Sequence, residues 1–219
     1  PAGRKMSRFN RLFAAFLLFS AYPAFAEEEP VVHHQPRGKT EIVINIDEQR
    51  LKLIKGGLVV QSYPVSTSKF GIGDARHSYK TPLGRFQVCG KIGDNLPPGA
   101  VLKGGRFTGE ILPVNAPGRD PIVTRIIRLE GLEGQNRRAY ERGIMIHGTP
   151  EEKNIGKPVS WGCIRMRSRD VIELYREVSV GTPVTIATNG GLLAGTSRPK
   201  SENRSILGVL LTGNRHQTE

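Results

Sequence analysis

A histidine and a cysteine in residues 143–167 have the side-chain types of a base and a thiol nucleophile. His147 ends a short apolar run, and Cys163 follows it by sixteen positions. A cysteine attacks a carbonyl group as its thiolate, which a nearby imidazole, positive charge or a helix N-terminus favours. Arg165 and Arg167 lie close to Cys163 in the sequence, and a helix is predicted just after them. We therefore predict that Cys163 is a nucleophile poised as a thiolate, with His147 as its base.

The glycines beside these two residues predict how such a reaction would be supported. Gly162 puts no side chain next to the sulfur, so the backbone N–H groups of Gly162 and Cys163 are predicted to face a substrate carbonyl as an oxyanion hole. Gly148 follows His147, and we expect its carbonyl group to hold the second nitrogen of the imidazole. The two glutamates at 151–152 are rival partners for that nitrogen.

Alternating apolar residues predict the strands that position this segment. Ile42, Ile44 and Ile46 alternate with polar residues, as expected for a strand with one buried face. Residues 94–121 are rich in glycine and proline and predict a long surface excursion of the lid or binding-loop type. Further strands are predicted at 51–53, 58–65, 81–88, 122–129, 143–146 and 184–187.

One helix is predicted after the cysteine. Ser168 is its expected N-cap, and Asp170 falls in the first turn, where the helix dipole favours a negative charge. The apolar face of the helix has spacing i, i+3, i+4 and i+7 and consists of Val171, Leu174, Tyr175 and Val178.

The sequence has two cysteines, Cys89 and Cys163. In an oxidising compartment two cysteines often form a disulfide, which here would block the predicted nucleophile. We therefore predict that Cys163 is free and that Cys89 is a buried, inert thiol. The remaining histidines and cysteines show no ligand spacing, so no metal ion or other cofactor is expected.

Several motifs, in the same order along the chain, resemble the L,D-transpeptidase catalytic-domain family of the YkuD type. They are residues 81–86 (Thr-Pro-Leu-Gly-Arg-Phe), 146–149 (Ile-His-Gly-Thr), 160–166 (Ser-Trp-Gly-Cys-Ile-Arg-Met) and 181–184 (Gly-Thr-Pro-Val). The resemblance implies a mostly-β, β-sandwich-like catalytic domain over residues 41–188, with one or two short helices and long surface loops. It also implies that Cys163 attacks the stem peptide of peptidoglycan after its third residue and releases the terminal D-alanine. The resulting thioester is resolved by the amine of a second stem or of an envelope protein.

Three further residues around Cys163 have expected roles, and that of Arg165 is implied by the resemblance. Arg165 is expected to hold a substrate carboxylate, with a structural ion pair as its alternative. Ser160 is either a hydrogen-bonding residue of the pocket or an ordinary loop serine. Trp161 departs from the family pattern, in which many members have histidine. An indole ring cannot relay protons, so Trp161 is expected only to line the cleft.

The N-terminal residues read as an export signal. Arg8 and Arg11 precede an apolar stretch, and Ala24-Phe25-Ala26 has the form of a cleavage site, so residues 6–26 are predicted to be a secretory signal peptide. The stretch is much shorter than a membrane span, so none is expected after cleavage. Residues 27–40 are expected to be a flexible leader and residues 189–219 a disordered tail.

Export and charge together predict the kind of partner. The formal charge is +12, and it falls to +8 when residues 1–26 are removed with their four cationic side chains. A basic exported protein fits an anionic partner in the periplasm or cell envelope better than a nucleic acid. The leading hypothesis is an exported L,D-transpeptidase; the alternatives are an L,D-carboxypeptidase or hydrolase on the same scaffold, and a non-catalytic wall-binding domain.

Overall fold

Ten β-strands and one α-helix form the frame of the protein in a computed structural model, which describes residues 38–191. A short 3₁₀-helix at Glu152–Asn154 lies between the eighth and ninth strands. The strands and the helix are β1 (Thr40–Asn45), β2 (Arg50–Lys55), β3 (Leu58–Pro64), β4 (Gly84–Ile92), β5 (Ala100–Lys103), β6 (Arg106–Ile111), β7 (Val123–Gly131), β8 (Met145–Gly148), β9 (Ile164–Met166), α1 (Ser168–Glu177) and β10 (Pro183–Ala187).

Hydrogen bonding connects all ten strands into one sheet. Its main path runs β3-β2-β1-β10-β4-β7-β5-β6, and β8 and β9 branch from it on β7. The β1–β10 and β8–β9 pairs are parallel, whereas the other pairs are antiparallel. The branch β7–β8–β9 is the part that brings the two ends of residues 143–167 together.

The alternating apolar residues form the buried face of the sheet, as predicted. Ile42 and Ile44 on β1 are fully buried, and so is Phe86 on β4. The apolar face of α1 is buried with them, because its Val171 and Leu174 side chains have no exposed surface. The predicted mostly-β fold with one or two short helices is therefore confirmed.

The excursion at 94–121 has more structure than the sequence predicted, because it contains the β5–β6 hairpin. Every residue of β6 is at least partly exposed, so this strand has no buried face to impose an apolar alternation. The hairpin is attached to the rest of the sheet where Val101 pairs with Val123 of β7. Residues 94–121 are thus a paired extension of the sheet.

The start of α1 differs from the prediction by one residue. Arg167 is the N-cap, so the prediction that Ser168 caps the helix is wrong. The Ser168 hydroxyl instead hydrogen bonds to the Thr124 hydroxyl at 2.8 Å, and the Ser168 N–H donates to Glu152 Oε1 at 2.8 Å. A carboxylate from another segment therefore satisfies a backbone donor at this helix end. Asp170 lies in the first turn, as predicted.

The predicted signal peptide at 6–26, and almost all of the predicted leader and tail, lie outside the described residues. Within residues 38–191 there is no helix with the length and apolar character needed to cross a membrane. Both cysteines are free thiols, as predicted. Cys89 is partly exposed and not fully buried, because it lies where the register between β4 and β7 shifts.

Truncation of a buried ring should show how far stability depends on the core. We expect Phe86→Ala to lower the free energy of unfolding by about 3–5 kcal/mol, because it removes a fully buried aromatic ring and leaves a cavity. Val59→Ala on β3 is the control, since Val59 is 56% exposed; it should change stability by less than about 0.5 kcal/mol. Urea denaturation of both variants measures the difference, and equal losses would contradict the assigned core.

Candidate active site

The parallel pairing of β8 with β9 places the predicted base and nucleophile on one face of the sheet. Ile146 pairs with Ile164, and His147 pairs with Arg165. Side chains two residues apart on a strand point to the same face, so Cys163 shares the face of Arg165 and therefore of His147. The strand register thus pairs His147 with Arg165, the second residue after Cys163, although His147 and Cys163 are sixteen positions apart in sequence.

His147 is held as a neutral imidazole with one defined tautomer. Its side chain is buried, and Nδ1 lies 2.9 Å from the carbonyl oxygen of Gly148. A carbonyl only accepts hydrogen bonds, so Nδ1 carries the proton and Nε2 is left as the acceptor. Burial lowers the pKa of His147 to about 4; the positive charge of Arg165 acts in the same direction, and the Gly148 carbonyl opposes it.

The expected carbonyl partner of the imidazole is therefore found. The rival carboxylates point elsewhere: Glu151 Oε2 accepts a hydrogen bond from Asn154 at 3.0 Å, and Glu152 Oε1 accepts one from the N-terminus of α1. Because Gly148 follows His147 directly on β8, this orienting contact is local and needs no residue from another element.

Cys163 is a protonated, partly exposed thiol. Its Sγ–H donates to the carbonyl oxygen of Gly143 at 3.2 Å. Burial raises the pKa of Cys163, while the Met145 backbone N–H and the charges of Arg165 and Arg142 oppose that rise. The expectation of a resting thiolate is wrong, because desolvation of the sulfur outweighs the positive groups around it.

The turn before Cys163 depends on a glycine and a buried serine. Gly162 has a φ of +119°, and a Cβ there would lie 3.2 Å from Ile144 Cδ1 and 3.3 Å from the Lys80 carbonyl oxygen. The Ser160 hydroxyl donates to the Cys163 carbonyl at 2.6 Å and accepts the Gly162 N–H at 3.2 Å. Ser160 therefore stabilises the turn. Of its two expected roles, this corresponds to that of a loop serine.

The Ser160 contact also changes the predicted oxyanion hole. The Gly162 N–H is already engaged with the Ser160 hydroxyl, so it does not face an incoming carbonyl in this conformation. In the next peptide unit, whose N–H belongs to Cys163, Thr81 donates its hydroxyl proton to the Gly162 carbonyl at 2.9 Å. Of the two predicted donors, the Cys163 N–H is the one left for an oxyanion.

Arg165 forms an ion pair with a residue that the sequence had not singled out. The Arg165 side chain is 11% exposed, and its Nη1 lies 2.5 Å from Asp120 Oδ2 and 3.9 Å from Glu151 Oε2. Asp120 also accepts a hydrogen bond from the Thr149 hydroxyl. This is the ion-pair alternative for Arg165. Asp120 lies near the end of the 94–121 excursion, three residues before the core strand β7. An acidic residue at that position was the one sequence feature that pointed to a partner for Arg165.

A cavity of about 290 Å³ opens beside the turn that contains Cys163. Trp161 is 54% exposed at its rim, and its ring lies 5.2 Å from the rings of Phe70 and Tyr79. Lys69 Nζ lies 4.5 Å from the centroid of the Trp161 ring. The indole ring therefore lines this cavity. The residues around the cavity are Arg76, His77, Tyr79, Glu141, Arg142, Ile144 and Trp161.

Comparison with known proteins gives a consistent family. A family model described as the L,D-transpeptidase catalytic domain (YkuD) matches residues 39–186. YqjB of Bacillus subtilis (strain 168), named as an L,D-transpeptidase, is 29% identical over 171 residues, covering 78% of this chain and 84% of that protein. YcfS of Escherichia coli (strain K12), also named as an L,D-transpeptidase, is 33% identical over 175 residues. That match covers 74% of this chain and 51% of YcfS, so the chain spans about half the length of that relative.

Among solved structures, an L,D-transpeptidase from Mycobacterium smegmatis aligns with a TM-score of 0.46 and 23% sequence identity. The alignment covers 68% of this chain and 59% of that chain.

The buried neutral imidazole predicts a specific pH dependence of stability. The pKa of His147 is lower in the folded state, about 4, than in the unfolded chain, about 6.5. Between these values the unfolded state binds the extra proton, so this contribution to stability is lost as the pH falls. Between pH 7 and pH 4 the free energy of unfolding of the wild type should therefore fall by about 3 kcal/mol more than that of His147→Gln. Urea denaturation at both pH values measures this, and parallel losses would contradict a neutral buried His147.

Proposed function

Because this chain belongs to the L,D-transpeptidase catalytic-domain (YkuD) family, we propose that it is a cysteine L,D-transpeptidase acting on peptidoglycan stem peptides. The observation that carries the proposal is a free, partly exposed Cys163 on the same sheet face as His147, whose Nε2 is available as an acceptor. A non-catalytic wall-binding domain would have no need of a free thiol and a buried, neutral imidazole on adjacent segments.

The first half of the reaction forms an acyl-enzyme. His147 Nε2 takes the proton of the Cys163 thiol, and the sulfur attacks the carbonyl carbon of the amide after the third stem residue. The negative charge that develops on the carbonyl oxygen is stabilised by the Cys163 N–H. His147 then gives its proton to the leaving nitrogen, the C–N bond breaks, and D-alanine leaves a thioester on Cys163.

The second half transfers the acyl group. An amine from a second stem or an envelope protein loses a proton to His147 Nε2 and attacks the thioester carbonyl carbon. The C–S bond breaks as the new amide bond forms, and the thiolate recovers the proton from His147. The Gly148 carbonyl keeps the imidazole in the required tautomer throughout, since it binds the Nδ1–H in both halves.

In the proposed reaction the Cys163 thiolate forms only when the thiol proton is transferred to His147. At rest the thiol is protonated, because burial raises the pKa of Cys163 and lowers that of His147. Proton transfer creates a thiolate that the Met145 N–H and the charges of Arg165 and Arg142 stabilise. Arg165 is paired with the carboxylate of Asp120. Its proposed role is therefore to supply positive charge near the thiolate and to support the wall of the pocket. Trp161 lines the cavity and moves no proton.

We place this activity in the periplasm or cell envelope, on the basis of the predicted export signal at 6–26 and the charge of +8 that remains without residues 1–26. The proposed substrate carries carboxylates, and a basic surface raises the local concentration of such an anionic polymer.

Incubation with purified tetrapeptide stems tests the proposed activity. The wild type should release D-alanine and form cross-linked dimers, which mass spectrometry of the products detects. Cys163→Ala should give neither product, and His147→Ala should lower the rate by about 10²- to 10⁴-fold, since it removes the general base. Tripeptide without dimer would assign the hydrolase alternative, and absence of both products would contradict catalysis.

The mass of the protein after incubation with a carbapenem distinguishes an inactive preparation from a wrongly assigned nucleophile. The wild type should form a covalent adduct at Cys163, and Cys163→Ala should form none, because Cys89 is an unactivated thiol whose pKa burial also raises. An adduct that persists in Cys163→Ala would contradict the assigned nucleophile.

The pH profile of stem cleavage should also reflect the depressed pKa of His147. A base with a pKa of about 4 stays deprotonated at pH 5 and is lost only as the pH falls through 4. The acidic limb of kcat/KM should therefore lie near pH 4, well below the usual value of about 6.5 for a histidine. Initial rates between pH 3.5 and 8 measure it, and a limb near 6.5 would contradict a buried, neutral base in the free enzyme.

A further inference from the structure

Arg142 is joined to Asp74 by an ion pair that is buried although both residues belong to surface segments. Arg142 Nη1 lies 2.8 Å from Asp74 Oδ1, and the two side chains are 8% and 7% exposed. Asp74 Oδ2 also accepts the backbone N–H of Arg138 at 2.8 Å. These contacts connect two segments that are far apart in sequence, the loop at 69–81 and the turn at 137–143.

The same guanidinium holds the loop at three further points. Arg142 Nη1 donates to the Gly73 carbonyl at 3.1 Å, and Nη2 donates to the Lys80 carbonyl at 2.7 Å and to the Ser78 hydroxyl at 3.3 Å. A planar guanidinium presents these donors in a fixed geometry, so it fixes the loop more tightly than a single ion pair would.

The loop needs such support because its backbone is locally unfavourable. His77 and Tyr79 both have positive φ angles, 55° and 56°, in the left-handed region that non-glycine residues seldom adopt. Conformations of this kind persist only when surrounding contacts impose them. The Arg142 bonds to Ser78 and Lys80 lie directly beside these two residues.

Each segment joined by Arg142 contacts a different side of the proposed nucleophile. Gly143, the next residue after Arg142, accepts the hydrogen bond of the Cys163 thiol at 3.2 Å. Thr81, the next residue after Lys80, donates to the Gly162 carbonyl at 2.9 Å and so holds the peptide that precedes the sulfur. Arg142 therefore lies between the group that binds the sulfur and the group that binds the turn carrying it.

We propose that Arg142, with Asp74, is a positioning residue that fixes the Cys163 thiol relative to its oxyanion donor and sets the width of the adjoining cavity. This inference rests on the proposed acyl transfer at Cys163. Arg142 itself lines that cavity, together with residues from both of the segments it joins. Its effect on the reaction is transmitted through the loop and the turn, and its charge adds to the field at the sulfur.

The charged groups around the thiol determine which measurement isolates this role. Arg165 of β9 acts on Cys163 through its positive charge and is paired with Asp120, and His147 of β8 lies opposite Arg165. Arg142 faces it from the turn, with Asp74 behind it, and its charge favours the thiolate by lowering the pKa of Cys163. Removing Arg142 should raise that pKa, whereas neutralising Asp74 should lower it, because the charge of Arg142 is then no longer offset. A loss of packing alone would not give opposite signs.

The test compares Arg142→Gln, Arg142→Lys and Asp74→Asn with Arg76→Gln in the full chain. Arg76 pairs with Glu141 at 2.6 Å across the same two segments, but this pair is 64% and 58% exposed. The control variant therefore removes an exposed ion pair between the two segments, whereas the other variants disrupt the buried one. Alkylation of Cys163 by iodoacetamide, followed by peptide mass spectrometry as a function of pH, reports the ionisation of the thiol. Cleavage of tetrapeptide stems reports kcat and KM, and circular dichroism reports folding.

Arg142→Gln and Asp74→Asn should both lower kcat by about 10- to 100-fold, because a displaced nucleophile reacts slowly. Their thiol pKa values should shift in opposite directions, upward for Arg142→Gln and downward for Asp74→Asn. Arg142→Lys should have a thiol pKa close to that of the wild type, because lysine keeps the positive charge. Its kcat should still be lower, because lysine lacks the planar set of guanidinium N–H donors. Arg76→Gln should leave the thiol pKa unchanged.

Shifts of the same sign in Arg142→Gln and Asp74→Asn, or an Arg142→Gln variant whose thiol pKa equals that of Arg76→Gln, would overturn the positioning role. If Arg142→Gln does not fold, Asp74→Asn and Arg142→Lys give the same decision. The outcome is separable from the proposed function. A wild type that cleaves no stem refutes the function, whereas an active wild type with an unaltered Arg142→Gln refutes only the inference.

Discussion

The parallel register between β8 and β9 is the constraint on which the candidate site depends. These are two of the shortest strands in the described sheet, and they lie on a branch of β7. A slip of one residue would turn Cys163 or His147 to the opposite face, because side chains alternate along a strand. The fully buried Ile146 and Ile164 pair with each other in this register and resist such a slip, so core packing determines the geometry of the chemistry.

Burial has a second effect at the site, since it keeps both reacting groups neutral. A thiol and an imidazole that were fully hydrated would have pKa values within about two units of each other. In this protein burial moves the two pKa values apart, in the direction that opposes proton transfer from Cys163 to His147. The charge of Arg142 reduces that penalty by lowering the pKa of Cys163, whereas the charge of Arg165 lowers the pKa values of both groups. The resting protein therefore carries a protected thiol, because the thiolate is the form that oxidants modify readily.

The sequence predicted those parts of the protein that depend on local pattern. Alternating isoleucines predicted β1, helical spacing predicted α1, and the glycine after His147 predicted the carbonyl that orients the ring. The parts it did not predict depend on contacts between distant segments. Asp120 beside Arg165 and Asp74 beside Arg142 are ordinary surface-loop acids in the sequence, and no spacing rule relates them to their partners. The β6 strand was missed because it has no buried face.

The environment of Trp161 has a spectroscopic consequence. It is the only tryptophan of the 219-residue chain, and it stands at the rim of the cavity with a lysine ammonium over its ring. Indole emission responds to the polarity and charge immediately around the ring, so all of the tryptophan fluorescence of this protein originates at the mouth of the candidate site.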